Sequence, residues 1–575
     1  MPDTSIRRRI NLDATHLPQE IHPRLRQIYA DRDIKDATQL SRSAQSLLHY
    51  QQLVGIEKAV ALLAKAIQTQ RNIIIVGDFD ADGATSTALC MLALKLFGSH
   101  QHSYLVPNRF DFGYGLSPEI VEVAAAQGAE LLVTVDSGIA CFAGVAKAKS
   151  LGLDVIITDH HLAAERLPDA DAIVNPNQPG CQFLSKNLAG VGVAFYLMLA
   201  LRAKLSSDNW FVQQQITLPN LADLLDVVAL GTVADVVPLD ANNRILVHQG
   251  LQRIRSDKCR PGIAAIMDVA GRDRTRLVAA DLGFVVGPRL NAAGRLDDMS
   301  LGIECLLTDD PARARQIAVQ LDSLNSERRE IESSMQHEAV KALESLSFSE
   351  QALPFGLVLY QADYHQGVIG ILSGRIKDKY QRPTIAFAHQ DDLTLKGSAR
   401  SIAGIHIRDA LDTISTRYPN LIIKFGGHAM AAGLSIEAAQ LSQFEVAFAT
   451  ICEELLANKP LGAETLSDGP LQLSEYSIQF AQLVKEGGPW GQGFSEPVFD
   501  DEFELLEQKL LGGKHLKMLV RFESRLLLDA IAFNIDANIW PNLACQRVRL
   551  AFKLDINHFR GRSNLQLLVD TIVAL

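Results

Sequence analysis

Three carboxylates at alternate positions, Asp78, Asp80 and Asp82, lie in the segment Gly77–Gly83, directly after an apolar run. Three more acids follow the ends of other apolar runs: Asp136, Asp159 with the His160–His161 pair beside it, and Asp235. Carboxylates gathered at one place raise one another's pKa and cannot all stay ionised unaided. Divalent cations resolve that repulsion. A mixed Asp and His donor set suits Mn²⁺ better than Mg²⁺, which prefers oxygen and water. Several carboxylates with one bridging group are the ingredients of two-metal phosphoester hydrolysis. A lone Asp-x-Asp-x-Asp loop is often only a solvated turn or a helix cap, and a lone His-His pair says less still. Four acidic segments ending four similar runs, one with the histidines, favour the metal reading.

Positioning them requires a sheet. Asn72–Val76, Leu131–Val135, Val155–Thr158 and Val227–Leu230 are short β-rich runs, each delivering acidic or His residues to the chain beyond it. Runs buried on both faces and separated by helical patterns such as Thr87–Phe97 predict parallel strands of a doubly wound α/β sheet. Such sheets bind ligands at the carboxyl edge of their strands. In extended backbone the alternate carboxylates of 78–82 would point the same way.

Farther on, Asp310–Pro311 is a helix-start signal, and no Gly or Pro follows until beyond Ser345. The spacing predicts one long connecting helix over 310–345, roughly 50 Å at 1.5 Å per residue. A second, smaller α/β pattern runs from about Phe355 to 455. After Gly493 the pattern is all-β: Leu516, Met518, Val520 and Phe522 alternate with polar or exposed positions, as do Val548, Leu550, Phe552 and Leu554. About five strands predict a small barrel of the OB type. The expected division is 1–50, an N-terminal extension; 51–309, the catalytic α/β domain; 310–345, the helix; 346–460, the second α/β domain; and 461–575, the barrel.

Hydrophobic residues make up 47% and charged residues 21% of the 575 positions, the balance of a globular chain of several domains rather than a disordered one. The apolar run Val191–Leu201 stops at Arg202, too short to span a bilayer. Arg7–Arg9 are not followed by an apolar stretch, so no signal peptide is expected. Seven scattered cysteines without a CxxC fit a reducing cytoplasm better than a disulfide framework. The net charge of −11 argues mildly against nucleic acid. Yet from Lys509 to the end, ten Lys and Arg stand against five Asp and Glu.

The segments GDFDADG (77–83), VDSGI (135–139), DHH (159–161) and GTVADVVPL (231–239) resemble, in order, the four motifs of the DHH phosphoesterases. PNRFDFGYGLS (107–117), GPRLNAAGRL (287–296), HQGVIGILSGRI (365–376), KGSARS (396–401), GGHAMAAG (426–433) and GPWGQGF (488–494) narrow the likeness to that family's bacterial single-strand-specific exonucleases, over nearly the whole chain. The resemblance implies a DHH domain, a DHH-associated domain and an OB barrel. It also implies two Mn²⁺ or Mg²⁺ ions held by Asp80, Asp82, Asp136, His160 and Asp235, with Asp136 bridging. His161 is expected to face the scissile phosphate and to act in catalysis together with Asp159; Asp78 and Asp159 are expected to support the ligands from behind. Pyrophosphatase-type members carry a His where this chain has Val76, so one metal should be held more weakly.

For the substrate, the resemblance implies that Arg109, Arg289, Ser373 and Arg375 hold a terminal 5′-phosphate, with Asn291, Arg295, Gly427 and His428 as further contacts. Arginines among Gly, Asn and Ser suit bidentate phosphate binding. Lys517, Arg521, Arg547, Arg549 and Lys553 would line a strand-binding face of the barrel, whereas Trp490 is expected to serve packing. The implied activity is 5′→3′ hydrolysis of single-stranded DNA to nucleotides in repair and recombination, with a helicase and a single-strand-binding protein as partners and no membrane. Two alternatives stand beside it: a phosphodiesterase of short oligonucleotides or cyclic dinucleotides, and a non-catalytic replication factor on the same scaffold. The barrel and long helix argue against the first, the intact acidic set against the second.

Overall fold

The computed structural model describes residues 5–107, 115–347, 353–456, 464–537, 539–559 and 561–575. Two compact units emerge: residues 10–325 with 474–497, and residues 1–9 with 326–473 and 498–575.

The first unit is built on a five-stranded parallel sheet ordered His102–Leu105, Ile73–Val76, Leu131–Val135, Asp154–Thr158, Ala172–Val174. Its three central strands are almost wholly buried, which is why they read as unbroken apolar runs. Ile74, Val76, Leu132, Val155 and Ile157 supply one face of the core. Chain order reverses between Ile73–Val76 and Leu131–Val135. Loops leaving those two strands diverge to opposite faces and open the crevice where doubly wound sheets bind ligands.

One expected strand is a helix. Val227–Leu230 lies inside the helix Leu225–Ala234, fully buried together with its neighbours. A short apolar run has the same appearance in a buried helix and in a buried strand, because neither shows a polar face. Asp235 therefore arrives as a helix C-cap, not at a strand end. The apolar run from Val191 belongs to the helix Gly190–Ser207, which by length and composition alone could cross a membrane, yet 67% of it is buried inside the protein. It is a core helix.

Pro311–Ser347 forms one helix of 37 residues, about 55 Å long. In the second unit Met335, Ala339 and Leu343 of this helix pack with Ala386, Ala388 and the helix Ile369–Tyr380. Ile385 and Phe387, one position out of phase, pack on the other face with the helices Ile407–Arg417 and Leu441–Leu456. That alternation makes the five-stranded mixed sheet containing Thr384–His389 a layer between helices. Tyr364 is buried in the same core.

The C-terminal barrel is closed, in the order Phe499–Leu511, His515–Phe522, Leu526–Ala532, Arg562–Ala574, Arg547–Phe559, with one parallel pair among antiparallel ones. Leu516, Met518, Val520, Val548, Leu550 and Phe552 fill its interior, as their alternation predicts. Its basic face is a different matter. Lys517 pairs with Asp529 (3.2 Å), Arg521 with Glu504 (2.8 Å), Arg547 with Glu502 (2.8 Å), Arg549 with Asp500 (2.6 Å) and Lys553 with Asp570 (3.7 Å). Counting from Lys509 leaves out the first ten residues of the strand Phe499–Leu511, which supply three of these carboxylates. Over Phe499–Ala574 the ten cations meet ten acids, so the barrel carries no net excess. The five cations sit in a cross-strand ion-pair ladder.

Candidate metal centre

The loop after Ile73–Val76 turns at once into a helix. Asp80 is the N-cap of Ala81–Leu96, its Oδ1 accepting the N–H groups of Asp82 and Gly83 at 3.0 Å each. The loop is thus a turn closed by the Asp80 cap, and it brings Asp78 and Asp80 to one donor group and Asp82 to another. Asp82, 1% exposed, accepts the N–H groups of Gly190 (2.6 Å) and Val191 (2.9 Å). These open the helix Gly190–Ser207, whose positive end favours the carboxylate. Glycine at 190 is obligatory: a Cβ there would lie 2.6 Å from the Asp136 side chain.

Asp136, at the end of Leu131–Val135, adopts a left-handed φ of 58° and is 2% exposed. His160 Nε2 lies 3.1 Å from Asp136 Oδ1 and 3.5 Å from Asp235 Oδ2. Donor atoms fall within 4.8 Å of one another in three overlapping groups: Asp78, Asp80 and Asp136; Asp136, His160 and His161; Asp82, His160 and Asp235. Asp136 and His160 each belong to two of them. Asp78 is one of these candidate donors.

Burial raises the Asp136 carboxyl well above the usual carboxylate range, and Asp82, Asp80, Asp235 and Asp78 add to it. Asp235 is raised by burial and then by Asp82 and Asp80. Among the described residues the buried Asp235 Oδ2 has no hydrogen-bond partner. Acids arranged at this cost of desolvation and repulsion, with an imidazole among them, are what a pair of divalent cations would satisfy; oxygen-rich ligation with one nitrogen fits Mn²⁺ or Mg²⁺.

Asp159 plays a different part. Its Oδ1 accepts from the N–H groups of His160 (2.7 Å) and His161 (3.0 Å) and pairs with His161 Nδ1 (2.7 Å), while Oδ2 accepts from Ile139 (2.9 Å). Burial opposes its charge, but these bonds outweigh burial and hold its pKa below the usual value. The same pairing raises the His161 imidazole against the pull of desolvation. Asp159 thus orients the His161 ring through its Nδ1. Asn175 and Asn177, which sequence reasoning does not single out, secure the same loop: their amides donate to the carbonyls of His161 (2.9 Å) and His160 (2.6 Å). Polar residues just past Val174, at the end of the fifth strand, are the signal that could have found them.

Asn291, expected at the substrate, accepts the Ala81 N–H at 2.8 Å and so braces the acidic loop. Its helix, Gly287–Leu296, touches that loop closely: a Cβ at Gly294 would meet the Phe79 carbonyl at 1.9 Å. Arg289 is 8% exposed and engaged by Asp322 (2.7 Å) and the Val285 carbonyl (2.8 Å). Arg295 is half-buried on the same helix. Arg109 lies outside the described residues. In the second unit Arg375 is 58% exposed at its side chain and paired with Glu332 at 2.9 Å. Ser373 is fully buried, its hydroxyl donating to the Gly370 carbonyl (3.2 Å). Gly427 and His428 form a tight hairpin in which the His428 N–H donates to the Ala431 carbonyl (2.8 Å); that amide is not on offer to an anion. Trp490 packs on Phe494 at 4.8 Å and donates to the Val484 carbonyl, a packing role as expected.

This fold and cluster define a catalytic domain of the DHH class. The model described as the DHH family, N-terminal domain, matches residues 72–232, the DHHA1 domain matches 354–455 and the RecJ OB domain matches 467–571. The chain belongs to the RecJ family. It is 56% identical, over 99% of its length and 98% of the relative's, to the single-stranded-DNA-specific exonuclease RecJ of Salmonella typhimurium, and 55% identical over the same shares to that of Escherichia coli. The crystal structure of RecJ from Thermus thermophilus in complex with Mn²⁺ superposes with a TM-score of 0.81 at 28% identity, covering 100% of this chain and 80% of that one.

Proposed function

We propose that the protein degrades single-stranded DNA from its 5′ end, by metal-dependent phosphodiester hydrolysis, in DNA repair and recombination. The observation that carries this is Asp136, a buried carboxylate shared by two donor groups at the switch point of the sheet, in a chain whose full-length relatives are named single-stranded-DNA-specific exonucleases. Asp78, Asp80, Asp82, Asp136, His160 and Asp235 would hold two cations. When bound, these would polarise the scissile phosphate and bring a water within reach of deprotonation at neutral pH.

The chain's own residues do the rest. Asp159 fixes the His161 ring and keeps it protonated to higher pH, so that Nε2 can donate to a phosphate oxygen as charge develops. Asn291 and the Gly190–Ser207 helix end hold the acidic loop in register. For phosphate contact the family resemblance points to Arg295 and Arg375, and to Arg109. Val76, buried in its strand, contributes no donor, which supports weaker retention of one cation.

The test is digestion of a 5′-phosphorylated, 3′-labelled single strand with Mn²⁺, compared with Asp136→Ala. Loss of hydrolysis in the variant, with wild type releasing mononucleotides first from the 5′ end, is expected. Full activity of Asp136→Ala, or shortening from the labelled end, would overturn the assignment.

A further inference from the structure

Three apolar side chains stand in solvent around the carboxylate cluster. Leu162, 66% exposed, directly follows His161; Val236, 63% exposed, directly follows Asp235; Phe284 is 79% exposed and is the most exposed phenylalanine among the described residues. Isolated exposed hydrophobics are ordinary. These three are not scattered, and the backbone beneath two of them is irregular.

Val236 has a φ of 62°, a conformation that a β-branched residue adopts only under constraint. Phe284 sits in a π-helical turn, Leu282–Val286, between the short helix Ala279–Asp281 and the helix Gly287–Leu296. The cause is legible in the sequence. Pro288 has no N–H for the carbonyl four residues earlier, that of Phe284, and its ring would crowd it. Widening the turn relieves the clash, and such π-turns recur at functional sites. The flanking glycines press this turn onto the last turn of the helix that ends in Asp235. A Cβ at Gly283 would come 3.3 Å from Val233 Cγ1, and one at Gly287 would come 3.2 Å from Ala234 Cβ. Val285 and Val286 point inward and are buried; Phe284 is left outward beside the metal-binding end of that helix.

We propose that Phe284, with Leu162 and Val236 flanking the centre, is a nucleobase platform: the bases next to the scissile phosphate pack on this apolar rim while the phosphate meets the acidic cluster. The inference rests on the function proposed above. An apolar surface takes any base by its π-face, which suits an enzyme acting without regard to sequence. Apolar side chains beside the acids also divide the substrate chemically, since bases can pack on them while the cations attract the phosphate.

The experiment compares wild type with Phe284→Ala and Phe284→Trp on 5′-phosphorylated single strands carrying one abasic residue at each of the first four positions. Phe284→Ala should raise KM on the intact strand about 10-fold, with kcat and thermal stability unchanged because the ring is solvent-exposed. Phe284→Trp should restore KM. For wild type, an abasic residue at the stacked position should raise KM by a similar factor; in Phe284→Ala the same lesion should add nothing. Strictly multiplicative effects of lesion and substitution at every position, or a KM for Phe284→Ala within twofold of wild type, would overturn the platform while leaving the nuclease assignment standing. Failure of wild type to cleave any strand would instead sink the function on which it rests.

Discussion

Replacing Asp159 by Asn separates a residue that positions the chemistry from one that performs it. The carboxylate is 1% exposed and accepts four hydrogen bonds: three at Oδ1, from the His160 and His161 backbone and the His161 ring, and one at Oδ2 from Ile139. Asparagine keeps the volume but has only one acceptor oxygen. With that oxygen toward the histidines, its amide N–H group faces the Ile139 N–H across 2.9 Å, donor against donor. Losing that bond in a buried setting costs about 1–3 kcal/mol. The bond to His161 survives as a neutral one, at roughly half the strength of the charge-assisted bond. Substitutions of this supporting kind lower metal affinity or activity about 10–100-fold. Single-turnover hydrolysis of a 5′-labelled strand should therefore slow within that range, and the urea midpoint should fall with an unchanged slope. Two results would refute the reasoning: a rate and midpoint indistinguishable from wild type, or a loss as complete as that of Asp136→Ala, which would make Asp159 a direct participant.

Two further outcomes follow from side chains at other levels of the fold. Asn291→Ala removes the acceptor for the buried Ala81 N–H and should weaken Mn²⁺ binding, measured by calorimetry without substrate, about 10-fold, with Asn291→Asp recovering most of it. In the barrel, Asp500 is held below its ordinary pKa, against the effect of burial, by Arg8, Ser467 and Arg549. A depressed carboxylate contributes stability above its unfolded pKa of about 3.9 and loses it as pH falls through the folded value. Asp500→Asn should accordingly lower the urea midpoint at pH 7, and the gap to wild type should close below about pH 4; an equal gap at both pH values would show that the charge contributes nothing.

The parallel strands and the barrel interior are legible because burial on both faces, or on alternate residues, writes itself directly into residue order. The helix Leu225–Ala234 reads as a strand for the complementary reason: full burial erases its period, and only its packing against Ala81–Leu96 and Ala241–Arg255 makes it a helix. The acidic cluster is recognisable from composition and order, since few other arrangements tolerate so many carboxylates. Its division of labour is not. Whether Asp78 faces a cation, whether Asp159 and Asn291 serve the ligands or the substrate, and whether Arg289 and Ser373 are accessible all depend on which atoms meet across distant parts of the chain.

Charge shows the same limit most clearly. The excess of cations after Lys509 is a true property of that stretch of sequence, but charges act over distance in space, and strand pairing sets Arg521, Arg547 and Arg549 against Glu504, Glu502 and Asp500 from outside it. Residue types and spacing by themselves determined the sheet, the barrel, the cluster of metal-seeking acids and the family. Tertiary structure alone decided which of those charged groups are already answered by a neighbour and which are left to meet cations and a substrate, because hydrogen bonds and ion pairs are satisfied by proximity and not by sequence order.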